Sequence, residues 1–483
     1  MQLPWRKRSL LQFGRLPHGI MTAAFPQISI LTMPLTISRI LHAGYVFECQ
    51  DTLIAFDTIF ENPFSSNCHA FPDVRFDHGQ IRQLRFDAVF ISHFHDDHCS
   101  LDSLDLLDRA TPLYIYCIFD ELFDMVRELG FTEAHKLETN VPVSVGPFEV
   151  IPREAIDSDV DSLYQIKAAG LNVLNVVDSW ISPVALRELA EEGPWDMVLW
   201  PFQTMREIEV IAPTRADAAP PGLPAEWLDQ LRLLDPRFVV PSSCQFIQEP
   251  WSWFSKRFFP ISYTLFQQEV EAALPAARVV RMNPSTAVTL TSTGLDAAPA
   301  LPWVTPVGDQ DVDYEYDSTA VPPRTFEVSR NFTALTAPHA RKVTDYCEQG
   351  LLEKYRDMEL PEDSYFQHAR VWRLSVFDHA GHGVEYHYRV EGDSIAKAGN
   401  GDGPLAWTTE IPAAKLYAAL EQGESLTSMY MRINDGLFDA AIEEEIADAE
   451  IIDDPLIRCL FNDVFGAYQA AQLRRLKERV TPS

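Results

Sequence analysis

Cysteine is scarce in this chain, and no two cysteines lie close enough in sequence to suggest a shared site. Seven cysteines are spread over 483 residues, and no pair is separated by only two residues. Zinc knuckles and small disulfide-bonded scaffolds both depend on closely spaced cysteines. The spacing therefore argues against both of these classes.

Long apolar runs are also missing. No run reaches the roughly 18 to 20 residues that a membrane-spanning helix needs. The basic N-terminal stretch has no sustained apolar core after Arg8, which argues against a secretory signal peptide. We therefore expect a cytoplasmic protein with no membrane partner.

Positively charged residues are also few compared with negatively charged ones. The chain has 39 Lys and Arg residues against 70 Asp and Glu residues, a formal net charge of −31. Nucleic-acid phosphates are held by cationic patches, so no nucleic-acid partner is expected. Hydrophobic residues make up 46% of the chain, which is typical of a globular protein with a buried core.

Short β-rich segments alternate with helical ones between residues 36 and 291. This pattern predicts an α/β domain in which helices pack outside β-sheets. Residues 277–291 are predicted to form a closing hairpin with a turn at Asn283-Pro284. Residues 292–324 lose periodicity and are interpreted as a linker or surface excursion. Residues 325–483 are predicted to form a smaller α+β domain, and residues 1–35 an N-terminal extension.

The densest group of chemically active side chains is HFHDDH, which begins two residues beyond the apolar run FDAVF, after Ile91 and Ser92. An extended chain points His93 and His95 to the same side, and Asp97 and His98 follow where the chain can turn back. Buried neutral histidines need partners for both ring nitrogens. Imidazole and carboxylate together suit Zn or Fe. The stretch therefore predicts a metal site.

HFHDDH resembles the H-x-H-x-D-H signature of the metallo-β-lactamase fold. The segment RILHAGYVFECQDTLIAFD resembles the opening strand pair of that fold, with Asp57 in the usual acidic position. The resemblance implies an αββα sandwich that carries one or two metal ions along one edge.

The resemblance also implies a ligand set. His93 and His95 would hold one metal, Asp97 and His98 would hold a second, and Asp178 would bridge the two. Asp97 and Asp178 are the residues expected to take part in catalysis. A valine precedes Asp178, where the family usually has glycine.

Two ligand positions depart from the family's pattern. The third histidine of the family is replaced here by the acidic stretch AIDSDVDS; we align Asp157 with it, and Asp159 or Asp161 is a possible substitute. The last family histidine falls on Ser243, a poor metal donor, with Cys244 beside it. We expect either that the second metal is weakly bound or that Cys244 or water replaces the missing ligand.

Longer segments resemble the catalytic domains of CMP-N-acetylneuraminate hydroxylases and UDP-N-acetylmuramic-acid hydroxylases, which are iron-dependent oxygenases fed by a Rieske module. The sequence has no C-x-H…C-x-x-H pair for such a module. The electrons would therefore come from a separate electron-transfer protein, or the reaction is not an oxygenation.

The favoured interpretation is an O2-dependent non-haem iron oxygenase with one or two iron ions, acting on a small polar metabolite or biosynthetic intermediate. Carboxylate ligands favour Fe or Mn over Zn, and Zn or Mn are the alternative metals. Two other functions stay open. One is a metal-dependent hydrolase of an ester, lactone or phosphoester, and the other is a degenerate, non-catalytic protein that binds a ligand.

Overall fold

The computed structural model describes residues 33–358, 364–399, 401–435, 451–461 and 465–480. Its framework is a pair of large β-sheets. The first sheet has eight strands, in the spatial order Leu295–Ala298, Ala287–Leu290, Leu35–Arg39, Tyr45–Cys49, Thr52–Phe56, Ala88–Ile91, Leu113–Ile115 and Ala134–Lys136. The second has seven, in the order Arg278–Val279, Phe238–Pro241, Met197–Trp200, Leu171–Asn175, Ser162–Ala168, Phe148–Glu154 and Val143–Val145.

The two sheets pack face to face through an apolar layer. Phe56 and Phe90 of the first sheet contact Tyr164 of the second, with ring centroids 5.1 Å and 6.0 Å apart. The outward-facing sides of the strands share a second apolar cluster with the outer helices. This cluster includes Val239 of the strand Phe238–Pro241 and Leu231 of the helix Ala225–Leu234. Burial on both faces explains why these strands read as nearly continuous apolar runs.

Helices cover the outer faces of the two sheets, and further helices lie in the rest of the described chain. The α-helices are His78–Ile81, Leu101–Leu104, Asp120–Glu128, Pro183–Glu191, Glu207–Ile211, Ala225–Leu234, Phe254–Arg257, Tyr263–Ala273, Thr325–Val328, Ala337–Asp345, Leu351–Arg356, Ala413–Gln422, Pro455–Phe461 and Ala467–Val480. One π-helical turn spans Tyr346–Gly350, and 3-10 turns span Ser329–Asn331, Tyr365–Gln367, Leu426–Ser428 and Ile451–Asp453. The α/β fold class and the αββα order of layers predicted from the sequence are confirmed.

The predicted closing hairpin of residues 277–291 is wrong. Arg278–Val279 runs parallel to Phe238–Pro241 in the second sheet, whereas Ala287–Leu290 is antiparallel to Leu35–Arg39 in the first. Met282, between the two strands, is fully buried in the layer that separates the sheets. The chain crosses from one sheet to the other at this point, and apolar periodicity alone does not show whether successive strands pair.

The segment 292–324 contains two strands that pair with strands from earlier in the chain. Leu295–Ala298 extends the eight-stranded sheet, and Val304–Pro306 pairs with Val74–Phe76 in a small two-stranded sheet. A second small sheet joins Phe246–Ile247 to His69–Ala70.

The C-terminal region contains a five-stranded sheet. Its spatial order is Ser394–Lys397, Gly383–Glu391, Arg370–Phe377, Leu405–Pro412 and Arg432–Ile433. All described residues belong to one compact unit, so the domain boundaries drawn from the sequence stay a prediction. Each described helix is too short or too polar to cross a bilayer.

Candidate metal centre

The candidate site is built by loops that follow strands of both large sheets. Only Ser92 separates HFHDDH from the strand Ala88–Ile91, and Asp178 comes three residues after the end of the strand Leu171–Asn175. Two groups of side chains there could each hold a metal ion, since one ligand atom from each member lies within 4.8 Å of the others in its group. The first group is His93, His95 and Asp161, and the second is His42, Asp97, His98 and Asp178.

Unpartnered buried atoms show that a cation fits the first group. The Nε2 atom of His93 and the Oδ1 atom of Asp161 are buried without a hydrogen-bond partner, and they lie 3.9 Å apart. His93 Nε2 is also 3.9 Å from Asp178 Oδ1. A buried polar atom left unpaired costs about 1–3 kcal/mol. A metal ion between these atoms would satisfy them.

Asp57 and Ser92 fix the tautomers of two motif histidines. Asp57 accepts hydrogen bonds from the Ser92 N–H at 2.8 Å, the Ser92 hydroxyl at 2.8 Å and His98 Nδ1 at 3.1 Å. The Ser92 hydroxyl therefore has no proton left for His93 Nδ1, 2.9 Å away, and must accept from it. Both rings carry a proton on Nδ1, so both Nε2 atoms are free to bind metal.

The electrostatics of the site call for positive charge. Burial and the neighbouring Asp178 raise the pKa of Asp161 to about 6. Burial would also raise the pKa of Asp178, but the rings of His98 and His93 hold it well below its usual range. Burial opposes protonation of His98, yet Asp178 and Asp97 raise its pKa well above the ordinary value. A bound cation would supply the positive charge that these buried carboxylates need.

The three aspartates of AIDSDVDS differ in position. Asp161 lies beside His93 and His95, whereas Asp157 and Asp159 are exposed and belong to neither group. The stretch is not extended. The Asp157 carbonyl accepts hydrogen bonds from the backbone N–H groups of residues 160 and 161, which closes a turn just before the strand Ser162–Ala168. The geometry therefore favours Asp161, and Asp157 as a ligand stays a prediction.

Ser243 and Cys244 make hydrogen bonds within the protein and are not placed as metal ligands. The Ser243 hydroxyl donates to the Val177 carbonyl at 2.5 Å. Burial raises the pKa of the Cys244 thiol well above its usual range, which disfavours the thiolate that would bind metal. Cys244 instead donates its backbone N–H to His42 Nδ1 at 2.9 Å. Among the residues that the structure describes, neither belongs to a metal group.

His42 is the site residue that sequence reasoning missed. It lies in the turn between Leu35–Arg39 and Tyr45–Cys49, is buried, and has a φ angle of +30°. Its Nε2 atom is 2.8 Å from Asp97 Oδ2. The available signal was a histidine two residues before a glycine in the turn of a hairpin. That glycine, Gly44, is required because a Cβ there would lie 2.7 Å from the Asp57 carbonyl oxygen.

A cavity of about 450 Å³ opens onto both metal groups. This volume is within the range of small-molecule sites. Ser425 and Leu426 of the C-terminal region line the cavity together with Met205 and Phe246 of the sandwich. The C-terminal region therefore contributes directly to the wall of the candidate site.

The helix Ala467–Val480 holds the loop that carries HFHDDH. Its Gln469 donates to the carbonyl oxygens of Phe94 and Cys99, both at 2.8 Å. Its Gln472 accepts from the Leu101 N–H at 2.7 Å and donates to the Ser100 hydroxyl at 2.8 Å. Both glutamine side chains are buried, so these bonds are shielded from water.

No protein-family model and no curated protein matches this chain. Among solved structures, it is similar to Igni18, a metallo hydrolase from Ignicoccus hospitalis, at 19% identity over 53% of this chain and 98% of that one, with a TM-score of 0.39. It is similar to CmlA, a diiron β-hydroxylase from Streptomyces venezuelae, at 17% identity over 53% of this chain, with a TM-score of 0.36. The match spans about half of CmlA, 54% of its chain.

A third similar structure is an isothiocyanate hydrolase from Delia radicum gut bacteria, at 11% identity over 53% of this chain and 100% of that one, with a TM-score of 0.38. Hydrolases and a hydroxylase thus appear side by side, and such likeness does not distinguish the two reactions. The fold itself is an αββα sandwich with the H-x-H-x-D-H loop just after a strand, the arrangement that the resemblance to the metallo-β-lactamase fold predicted.

Proposed function

We propose that this protein is a dinuclear non-haem iron oxygenase that hydroxylates a small polar substrate. The observation that carries the proposal is the composition of the first metal group. His93, His95 and Asp161 supply two imidazoles and one carboxylate. This is the ligand set of non-haem Fe(II) oxygenases, which keeps coordination positions open.

The second group supports the same choice of metal. Asp97 and Asp178 add two carboxylates to the imidazoles of His42 and His98. Oxygen donors of this kind favour Fe or Mn over Zn, which prefers nitrogen and sulfur ligands in closed sites. Bound iron would supply the redox chemistry that O2 activation needs. Zn and Mn stay the alternative metals.

The proposed reaction breaks a C–H bond of the substrate and forms a C–OH bond with one atom of O2. The other oxygen atom leaves as water, which takes up two electrons and two protons. We propose that an electron-transfer protein supplies the electrons. The chain's own part is to orient the substrate in the cavity, where Phe246 and Leu426 limit the access of water. A cytoplasmic location stays a prediction.

One observation favours hydrolysis as the second candidate. Asp96 lines the cavity, and its Oδ2 atom is buried without a hydrogen-bond partner, so it could accept a proton from a metal-bound water. Asp97, which the sequence analysis expected to take part in catalysis, has one oxygen against His42 instead. The substrate would then be an ester, lactone or phosphoester.

Metal preference and redox behaviour separate the two functions. Protein produced in medium with equal iron, manganese and zinc should contain iron at both groups, with an absorption band that reductant bleaches and O2 restores. Asp161→Asn should lose the iron of the first group, and Asp159→Asn, an exposed neighbour, should keep it. Stoichiometric zinc, no response to reductant and turnover of model esters would overturn the oxygenase and support the hydrolase.

A further inference from the structure

Burial and two aromatic contacts fix the orientation of the His42 ring. It is buried, with 1% of its surface exposed. The ring stacks on Phe64 with centroids 5.6 Å apart and meets Phe246 edge-on at 5.4 Å. A ring flip would remove Nδ1 and Nε2 from their present partners, so the two nitrogens have defined neighbours.

The first neighbour determines which nitrogen carries the proton. Cys244 places its backbone N–H 2.9 Å from His42 Nδ1. A backbone N–H can only donate, so Nδ1 must be the accepting nitrogen. The neutral ring then carries its proton on Nε2.

The Cys244 N–H is itself anchored. Arg39, which is fully buried, donates to the carbonyl oxygens of His42 and Ser242, and so ties the hairpin turn to the segment that carries Cys244. Tyr314 donates its hydroxyl proton to the Phe246 carbonyl at 2.8 Å, two residues further along the same segment. Turning the Cys244 N–H away from the ring would break several of these contacts together.

His42 therefore has the opposite tautomer to the motif histidines. His93 and His98 are protonated on Nδ1 through Ser92 and Asp57, which leaves their Nε2 lone pairs free. His42 has no lone pair on Nε2, and that atom faces Asp97 Oδ2 at 2.8 Å and His98 Nε2 at 3.2 Å. The shorter contact is an N–H···O hydrogen bond, of the kind that orients ligating carboxylates.

We propose that His42 is not a metal ligand but a positioning residue, which donates Nε2–H to Asp97 and orients that carboxylate. The proposal rests on the proposed metal centre and deepens it. The family histidine lost at Ser243 is then not replaced by His42. The second group keeps Asp97, His98 and Asp178 alone, and a coordination position stays open for O2 or substrate.

The direct test is the protonation of the rings in the wild-type protein. Zinc is diamagnetic, so ¹⁵N-histidine-labelled protein loaded with zinc can be studied by long-range ¹H–¹⁵N correlation spectra, with His42 assigned through its contacts with Phe64. We expect His42 to show a protonated Nε2 and a bare Nδ1 both before and after loading. Zinc on His42 Nε2 with a proton on Nδ1 would overturn the proposal.

Variants give an independent readout. His42→Gln keeps an amide donor for Asp97 and an acceptor for Cys244, so zinc stoichiometry should be unchanged. His42→Ala removes the donor and should weaken zinc binding about 10- to 100-fold, the usual effect of losing an outer hydrogen bond. His98→Gln, the matched control, should lose the zinc of the second group. Loss of that zinc in His42→Gln as well would contradict the proposal.

These outcomes are separable from the oxygenase assignment. A protein that binds zinc with His42 protonated on Nε2 but never reacts with O2 would refute the proposed function and leave this inference standing. A wild-type chain that binds no metal at either group would refute both.

Discussion

Replacing Asp57 with asparagine should disable the second metal group while leaving the fold in place. The two side chains have the same shape, but an amide has one oxygen and one NH2 where a carboxylate has two oxygens. Asp57 accepts from the Ser92 N–H, the Ser92 hydroxyl and His98 Nδ1, all within 3.1 Å. In either orientation of the new amide, its NH2 faces at least one of these donors.

The conflict is relieved most simply if His98 moves its proton from Nδ1 to Nε2. His98 then accepts from the amide and has no lone pair for a metal. The expected loss is about 10- to 100-fold in metal affinity, or about 1.4 to 2.7 kcal/mol. The metal-free protein should also lose about 1–3 kcal/mol of stability if a buried donor is left unpaired. The metal affinity of the first group should fall less, because Asp57 is linked to His93 only through Ser92.

Competition with a chelator measures the two affinities, and thermal unfolding of the metal-free protein measures stability. The matched control is Asp87→Asn. Asp87 is exposed and accepts only the Leu53 N–H at 2.8 Å, a bond that an asparagine oxygen can also accept. If Asp57→Asn binds both metals as tightly as the wild type and Asp87→Asn does, the tautomer argument for His98 is refuted.

Three further predictions follow from the same geometry. Asp161→Asn should remove the metal of the first group, whereas Asp157→Asn should leave metal content unchanged by elemental analysis; the reverse result would restore Asp157 as the ligand. Because the pKa of Asp161 is raised to about 6, a proton competes with metal below that pH, so zinc affinity measured by calorimetry should rise as pH increases through this value. A flat profile would contradict that competition. Val177 has a φ angle of +61°, so Val177→Gly should be about 1 kcal/mol more stable than Val177→Ala in denaturant unfolding, the reverse of the usual order. Equal stabilities, or a more stable alanine variant, would mean that φ is not a constraint there.

The features that the sequence predicted well are local ones. HFHDDH is contiguous and comes just after a buried strand, so the sequence alone shows that its histidines and aspartates lie together. Asp161 was only a substitute candidate, because the turn that brings it to His93 is set by backbone hydrogen bonds and not by side-chain alternation. His42 was missed because its role arises from contacts with Asp97 and Cys244, 55 and 202 residues away along the chain.

The valine before Asp178 shows how a departure from the family's pattern can be accommodated. Glycine is usual there because the backbone is left-handed, and valine rarely adopts that conformation. In this chain Asn175 accepts the Val177 N–H at 3.1 Å, and Ser243 donates to its carbonyl. Ser243, which the resemblance aligns with a family histidine, therefore stabilises the strained turn that precedes Asp178.

The buried glutamines of Ala467–Val480 also bear on when the protein can acquire its metals. They hold the HFHDDH loop from positions about 370 residues later in the chain. A ribosome that adds about 5 to 20 residues per second needs about 20 to 75 s to cover that distance. During this interval the motif histidines exist, but the loop that presents them is not yet held in place. We therefore expect metal loading to follow synthesis and folding of the C-terminal helix, so that the emerging chain does not select its metal from whichever ion reaches it first.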